Sequence, residues 1–383
     1  MASIKIAEIS RTDLENHLVR VSITDVEHLS SYNWVEASVP TIAIPGSPAL
    51  WTPPQAAQRQ VKKDSGLIYI AQNAARHPES PLEPLFRALY IAHPAFDIRS
   101  VDLVTDRNNM RKLLSFVNPS LVKKGLEPFT IEVEVMNDTA IFCRAETKTF
   151  EVIGPRQYKG FGHEFEKAYT TVQLKGSTGH HRIISYRLGG MKLLVRYETD
   201  GYIARPSKAS TASTDSRKPL QGSDNLSSML ESLSLSPPKP CYAASDKSTL
   251  RILEKGQVVP IESTPEIKTR TSKRPIKIDE VLPQLWVSQT PNLVRAYHRN
   301  GLFERPEVED VSGELKRWEE DHHTDLGKLV ELIKNLISVV KESGAKAVIR
   351  YDDRCDKLVV WKKLEGGRKM LPDDLYSRFN ARR

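Results

Sequence analysis

Apolar and polar positions alternate with period two over residues 129–135 (FTIEVEV), and the pattern resumes at 140–144 (AIFCR) after Met136, Asn137 and Asp138. Period two sends successive side chains to opposite faces of a strand, and MND is turn chemistry, so this stretch predicts a β-hairpin. Residues 182–187 (RIISYR) and 191–197 (MKLLVRY) predict two more strands joined by a turn at LGG. The AVIRY and KLVVW segments near the C-terminus predict a closing hairpin, and VDLVT (101–105) and NLVRAYH (292–298) single strands. Helical patterns occupy 66–76, 80–92, Asn108–Phe116 and Gly162–Thr171. The second opens on Ser80 and Pro81, read as an N-cap and a first-turn proline. PQLWVSQT adds a helix-bearing unit, and a long helix is expected over Gly313–Lys341. There Leu315, Trp318, Leu326, Leu329, Ile333, Leu336, Ile337 and Val340 follow a 3.6-residue period. The sum is a mixed α/β (α+β) fold, with a mixed, partly antiparallel sheet flanked by helices.

Two stretches depart from these periods. Residues 31–54 hold five prolines and two tryptophans, which predicts an extended arm laid on a surface. Residues 205–263 turn rich in Ser, Pro, Lys and Asp, which predicts a disordered insertion. The division expected is therefore an N-terminal arm (1–64), a first domain half (65–204), the insertion (205–263) and a second half (264–383). The 24 prolines against 19 glycines suit such non-periodic segments. Lys plus Arg exceeds Asp plus Glu by 56 to 48, a net +8 that permits a polyanionic partner without requiring one. Three cysteines with no CxxC spacing argue against a disulfide framework and for a reducing compartment. No apolar run reaches the ~18 residues of a membrane span, so no membrane partner is expected.

Candidate chemistry lies in paired acidic residues. Glu198 and Asp200 are two apart at the end of an apolar strand, which places both carboxylates on one face. Glu266 and Lys268 repeat that spacing, and Glu164 and Glu166 fall on the Gly162–Thr171 helix. Carboxylates so placed suit a hard divalent ion, Mg²⁺ or Mn²⁺, with an adjacent lysine steadying phosphate oxygens. A solvated strand face gives the same spacing. Glu146 and Lys148, with Glu132 or Glu134, offer a competing set, expected to be a solvated hairpin face. His163, His180 and His181 are candidates to cluster near the carboxylates, but no Cys/His spacing supports zinc. The basic run Lys268–Lys277 reads as a nuclear localisation signal, a phosphate-binding segment or plain solvated surface.

The order of these features resembles the DXO/Rai family of RNA decapping nucleases. In that family an arginine follows a strand, then come G-Φ-x-x-E on a helix, E-Φ-D on a strand, E-Φ-K on the next strand, and a helical glutamine. Here the matching positions are Arg107, Gly162–Glu166, Glu198-Thr199-Asp200, Glu266-Ile267-Lys268 and Gln284. Asp106 and Asn108 flank Arg107 where the family usually carries Trp and Gly.

The resemblance implies a PD-(D/E)xK nuclease-like core. It implies metal binding by Glu198, Asp200, Glu266 and the Ile267 carbonyl, with Glu166 acting close by through water. It implies substrate contacts from Arg107, Glu198, Lys268 and Gln284. It also implies hydrolysis at an RNA 5' end (cap, triphosphate or NAD-type), 5'-3' exoribonuclease activity, a 5'-3' exoribonuclease protein as partner, and a nuclear or cytoplasmic location. The alternative functions are a catalytically weak RNA-binding or partner-stabilising protein on the same fold, and a DNA-acting nuclease. Pro265 directly before Glu266 cannot donate to a ladder, so that strand is expected to begin there or to lie at a sheet edge.

Overall fold

A computed structural model describes residues 4–15, 20–204, 241–245, 248–354, 356–363 and 369–380. Among the described residues the main sheet has twelve strands. Their spatial order is Ile4–Ser10, Lys357–Lys362, Lys346–Tyr351, Phe129–Met136, Thr139–Ala145, Leu103–Asp106, Met191–Thr199, Ser177–Leu188, Ile23–Val35, Thr41–Gly46, Arg251–Gly256 and Tyr242–Ala243. Most neighbours are antiparallel, while Leu103–Asp106 runs parallel to both its neighbours. Pro265–Thr271 and Asn292–Arg299 begin a second sheet as a parallel pair. The expected mixed, partly antiparallel sheet with flanking helices is therefore present.

Alternation along the central strands builds two cores. Leu193, Val195 and Ile184 face the side covered by the Arg107–Val117 and His323–Glu342 helices. Leu194 and Ile183 face the side covered by the Glu83–Ala92 and Asp373–Asn380 helices. Strands buried on both faces read as nearly continuous apolar runs, as MKLLVRY does. A third core joins the second sheet to the Gly162–Tyr169 helix through Phe165, Tyr169, Ile267 and Val294. The turn between Ser177–Leu188 and Met191–Thr199 is the pair Gly189-Gly190, both at positive φ, which is the backbone a two-residue hairpin loop requires.

Several expectations are corrected. Residues 66–76 are not one helix but a strand, Gly66–Tyr69, followed by a short helix, Gln72–Arg76. Ser80 does not cap the next helix, which begins at Glu83; its hydroxyl donates to the Met370 carbonyl. The helix expected over Gly313–Lys341 is two helices, Ser312–Asp321 and His323–Glu342, that meet at His322. Residues 31–54 are extended but built into sheets, because Ile23–Val35 pairs on both sides and Thr41–Gly46 continues the ladder. Of the expected insertion, 205–240 lies outside the described residues, whereas Arg251–Gly256 pairs in parallel with Thr41–Gly46. The strand after Pro265 both starts at that residue and forms one end of the second sheet's strand order.

Candidate active site

The motif residues sit in the elements their motifs require, except Asp200, which follows the end of its strand at Thr199. Arg107 opens a helix immediately after the Leu103–Asp106 strand. Glu166 lies on the Gly162–Tyr169 helix, and Gln284 on Leu282–Ser288, just ahead of the Asn292–Arg299 strand. Glu198 is the next-to-last residue of the Met191–Thr199 strand in the main sheet, whereas Glu266-Ile267-Lys268 lies in the second sheet. A carboxylate oxygen of Asp200 accepts a hydrogen bond from the Ile267 N–H at 2.7 Å, and that bond brings the two sheets together at the site.

Glu266 is the hub. It is only 3% exposed, and a buried carboxylate requires partners. Arg107 donates to one of its oxygens at 2.9 Å. Lys268 donates to the other at 2.5 Å, and Gln284 donates to that same oxygen. Burial alone would raise this carboxyl, but Lys268 and Arg107 outweigh it and hold it down at about 2. Arg107 also lies over the Tyr197 ring, 5.6 Å from its centroid. The resemblance assigns Arg107 to substrate; here its guanidinium is engaged by Glu266 and Tyr197.

The other three carboxylates behave in the opposite way. Burial, then the charges of Asp200 and Glu198, push Glu166 well above the usual carboxylate range. Enclosure and the nearby Glu266 raise Asp200 to about 7, against the pull of Lys268 and the Ile267 N–H. Glu198 opens to solvent on the cleft wall, yet enclosure and Glu266 raise it despite Arg107. Like charges that raise one another in an enclosed cleft are the electrostatic condition that a divalent cation relieves. The all-oxygen donor set fits Mg²⁺ or Mn²⁺ by its chemistry. Among the described residues, however, no three His, Cys, Asp or Glu side chains converge at metal-holding spacing. Drawing Glu266 into a metal shell would require Arg107, Lys268 or Gln284 to release it.

Asp106 is not free to meet a substrate. It forms an ion pair with the buried Arg196 at 2.7 Å, and Arg196 also donates to the Pro81 carbonyl. The competing carboxylates are structural. Glu146 holds Lys112 and Arg144. Glu134 is buried rather than solvated, bound to Lys346 and Tyr376. His163 is exposed. His180 binds Asn33 and His181 binds Gln72, and burial holds both rings well below their usual pKa and therefore neutral. His181 pairs across the ladder with Glu198 and lines the same cavity, whereas His180 does not.

That cavity, of about 150 Å³, is walled by Arg107, Arg111, Arg144, His181, Gln72 and Glu198 among others. Arg111 and Arg144 were not singled out from sequence. For Arg111 a signal was available, since it lies four residues after Arg107 and so on the same helix face. Gly179 was also missed. A Cβ there would stand 2.4 Å from a Gln72 oxygen and 3.0 Å from a Glu198 oxygen.

Residues 4–380 match the family described as "Domain of unknown function (DUF8563)". The chain belongs to this family. No curated protein matches its sequence. Among solved structures it is similar to Schizosaccharomyces pombe Rai1, at 11% identity and a TM-score of 0.56 over 94% of this chain and 99% of that one. It is similar to Scheffersomyces stipitis Rai1 in complex with (3'-NADP)+ and calcium ion, at 12% identity and 0.57, over 94% and 95%. It is also similar to Candida albicans Rai1 in complex with pU5-Mn2+, at 11% and 0.55, over 99% and 98%. The fold of this DUF8563 chain is thus the fold of the Rai1 structures, nearly end to end.

Proposed function

We propose that this protein is a divalent-metal-dependent hydrolase that acts on the 5' end of RNA, removing a cap, triphosphate or NAD-type end and degrading 5'-3'. The observation that carries this reading is the bond from Ile267 to Asp200, which makes Glu198, Asp200, Glu266 and Lys268 one site from two sheets. The ligands bound to the S. stipitis and C. albicans Rai1 structures, a nucleotide with calcium and a short RNA with Mn²⁺, support the substrate class and the ion type.

In this reading Glu198, Asp200, Glu266 and the Ile267 carbonyl would hold Mg²⁺ or Mn²⁺, with Glu166 close by through water. The bound ion would supply Lewis-acid polarisation of a phosphate and an activated water. Glu266 gathers the ends of Lys268 and Gln284 on one of its oxygens, and on release from it their N–H groups become the donors offered to a phosphate. Arg107 fixes Glu266 from the opposite side.

A second reading, an RNA-binding or partner-stabilising protein with little turnover, is favoured by one observation. Both oxygens of Glu266 are already engaged, by Arg107 on one side and by Lys268 and Gln284 on the other. The deciding experiment incubates the protein with 5'-triphosphate, NAD-capped and methylguanosine-capped RNAs, with Mg²⁺ or Mn²⁺ and with EDTA. The reference is the Glu198→Ala/Asp200→Ala double variant. Wild type that releases no more product than this variant on any end overturns the hydrolase; binding without turnover establishes the second reading. We also propose a 5'-3' exoribonuclease protein as partner and a nuclear or cytoplasmic location.

A further inference from the structure

A groove beside the site is lined by more cations than carboxylates. Asn108 and Arg111 line the inner cavity that holds Glu198 and also a second, open groove of about 910 Å³. Six cations (Arg111, Lys112, Lys123, Lys124, Arg270 and Arg274) line that groove, against the carboxylates Glu127 and Glu280. Half of the cations are neutralised locally. Glu280 accepts from Lys123 at 2.6 Å and from Arg270 at 2.8 Å, and Lys112 is held by Glu146 at 2.8 Å. Among the described residues Arg111, Lys124 and Arg274 have no carboxylate partner.

Arg111 is the sharpest of the three. It is partly buried, and burial, then the like charges of Arg107 and Arg144, lower its pKa. A guanidinium so placed gains most from an anion that is not part of the chain. Asn108 Oδ1, beside it, is buried without a hydrogen-bond partner.

We infer that this groove is the track for the phosphodiester backbone of a single-stranded RNA whose 5' end occupies the carboxylate cleft, with Arg111 at the junction and Lys124 and Arg274 along the track. The inference rests on the proposed RNA substrate. A groove lined by cations that shares Arg111 and Asn108 with the carboxylate cleft holds a backbone by charge and needs no base readout.

The test uses the full chain in EDTA, where no turnover occurs, with 5'-phosphorylated oligouridylates of two and twelve nucleotides read by fluorescence anisotropy. Lys124 and Arg274 are exposed, so Lys124→Ser/Arg274→Ser leaves the core untouched. The twelve-mer is expected to bind this variant about tenfold more weakly, with the salt slope reduced by roughly 1.4, while the two-mer binds as to wild type. An unchanged twelve-mer affinity, an equal loss on the two-mer, or an equally tight hold on a polyglutamate peptide overturns the track. Turnover of 5' ends is assayed separately. A functioning hydrolase without the length effect sinks the track alone, and the length effect without turnover sinks the hydrolase alone.

Discussion

Asp200 receives the main-chain N–H of Ile267 at 2.7 Å, and so couples the end of one sheet to the strand of another. The same carboxyl is raised to about 7 by enclosure and by Glu266. The bond and the charge are separable, because an amide oxygen accepts as a carboxylate does. Asp200→Asn is expected to melt close to wild type yet to lose roughly 100-fold or more in 5'-end hydrolysis. Asp200→Ala is expected to lose activity and also about 1–2 kcal/mol of stability, because the Ile267 N–H is left unpaired. Thermal melts and single-turnover hydrolysis of triphosphorylated RNA distinguish the two. An Asp200→Asn variant as active as wild type would remove Asp200 from the site.

Glu266 supports two cations from a nearly dry position, with Arg107 only 15% exposed. Glu266→Gln removes the carboxylate bonded to both Arg107 and Lys268 and leaves them the charge of Asp200. Urea unfolding is expected to show a loss of about 3 kcal/mol, more than for Arg107→Gln, in which Glu266 keeps Lys268 and Gln284. Equal losses would mean that Glu266 is not the hub.

Gly179 leaves just enough room for Gln72 and Glu198. Gly179→Val is expected to displace the Glu198 carboxylate and to lower hydrolysis by roughly 10- to 100-fold, with a melting point within a few degrees of wild type. Unaltered kinetics would show that the cavity beside Glu198 is not used.

His28 lies on the Ile23–Val35 strand, opposite Ile184. Burial, then the charge of Arg182, lower its ring to about 4 from 6.5. The unfolded chain therefore takes up a proton at a higher pH than the folded one. The stability that this creates is present above pH 6.5 and is lost as pH falls through about 4, at most about 3 kcal/mol. Urea midpoints measured from pH 7.5 to 4 are expected to fall less steeply for His28→Gln than for wild type. Parallel slopes would show that His28 does not carry the effect.

The strands and most helices were legible because their burial is periodic. Leu193, Leu194 and Val195 read as a strand since both faces of it are covered. The site was legible as an order of short motifs, which fall in the required elements except that Asp200 lies just past its strand. Less legible were features set by long-range partners. Gly66–Tyr69 is a strand because it pairs with Phe150–Ile153, about eighty residues away, and its own sequence suits a helix equally well. The engagement of Arg107 by Glu266 joins positions 159 residues apart, and no local pattern announces it. Asp106 looked like a misplaced acid beside a substrate arginine until Arg196, on the neighbouring strand, supplied its partner.

The Gly189-Gly190 loop stands at the opposite end of the ladder from Glu198. From Leu188 opposite Met191, the pairing runs without a bulge to His181 opposite Glu198 and His180 opposite Thr199. At roughly 3.4 Å per residue, a two-residue turn thus sets, from more than 20 Å away, which wall Glu198 faces. A Cβ at Gly189 would strike Val330 on the covering helix, so the turn is clamped as well as short. The placement of the Glu198 carboxylate thus depends on a loop at the far end of its strand, and a one-residue register slip begun there would turn Glu198 to the opposite face without altering any residue of the site.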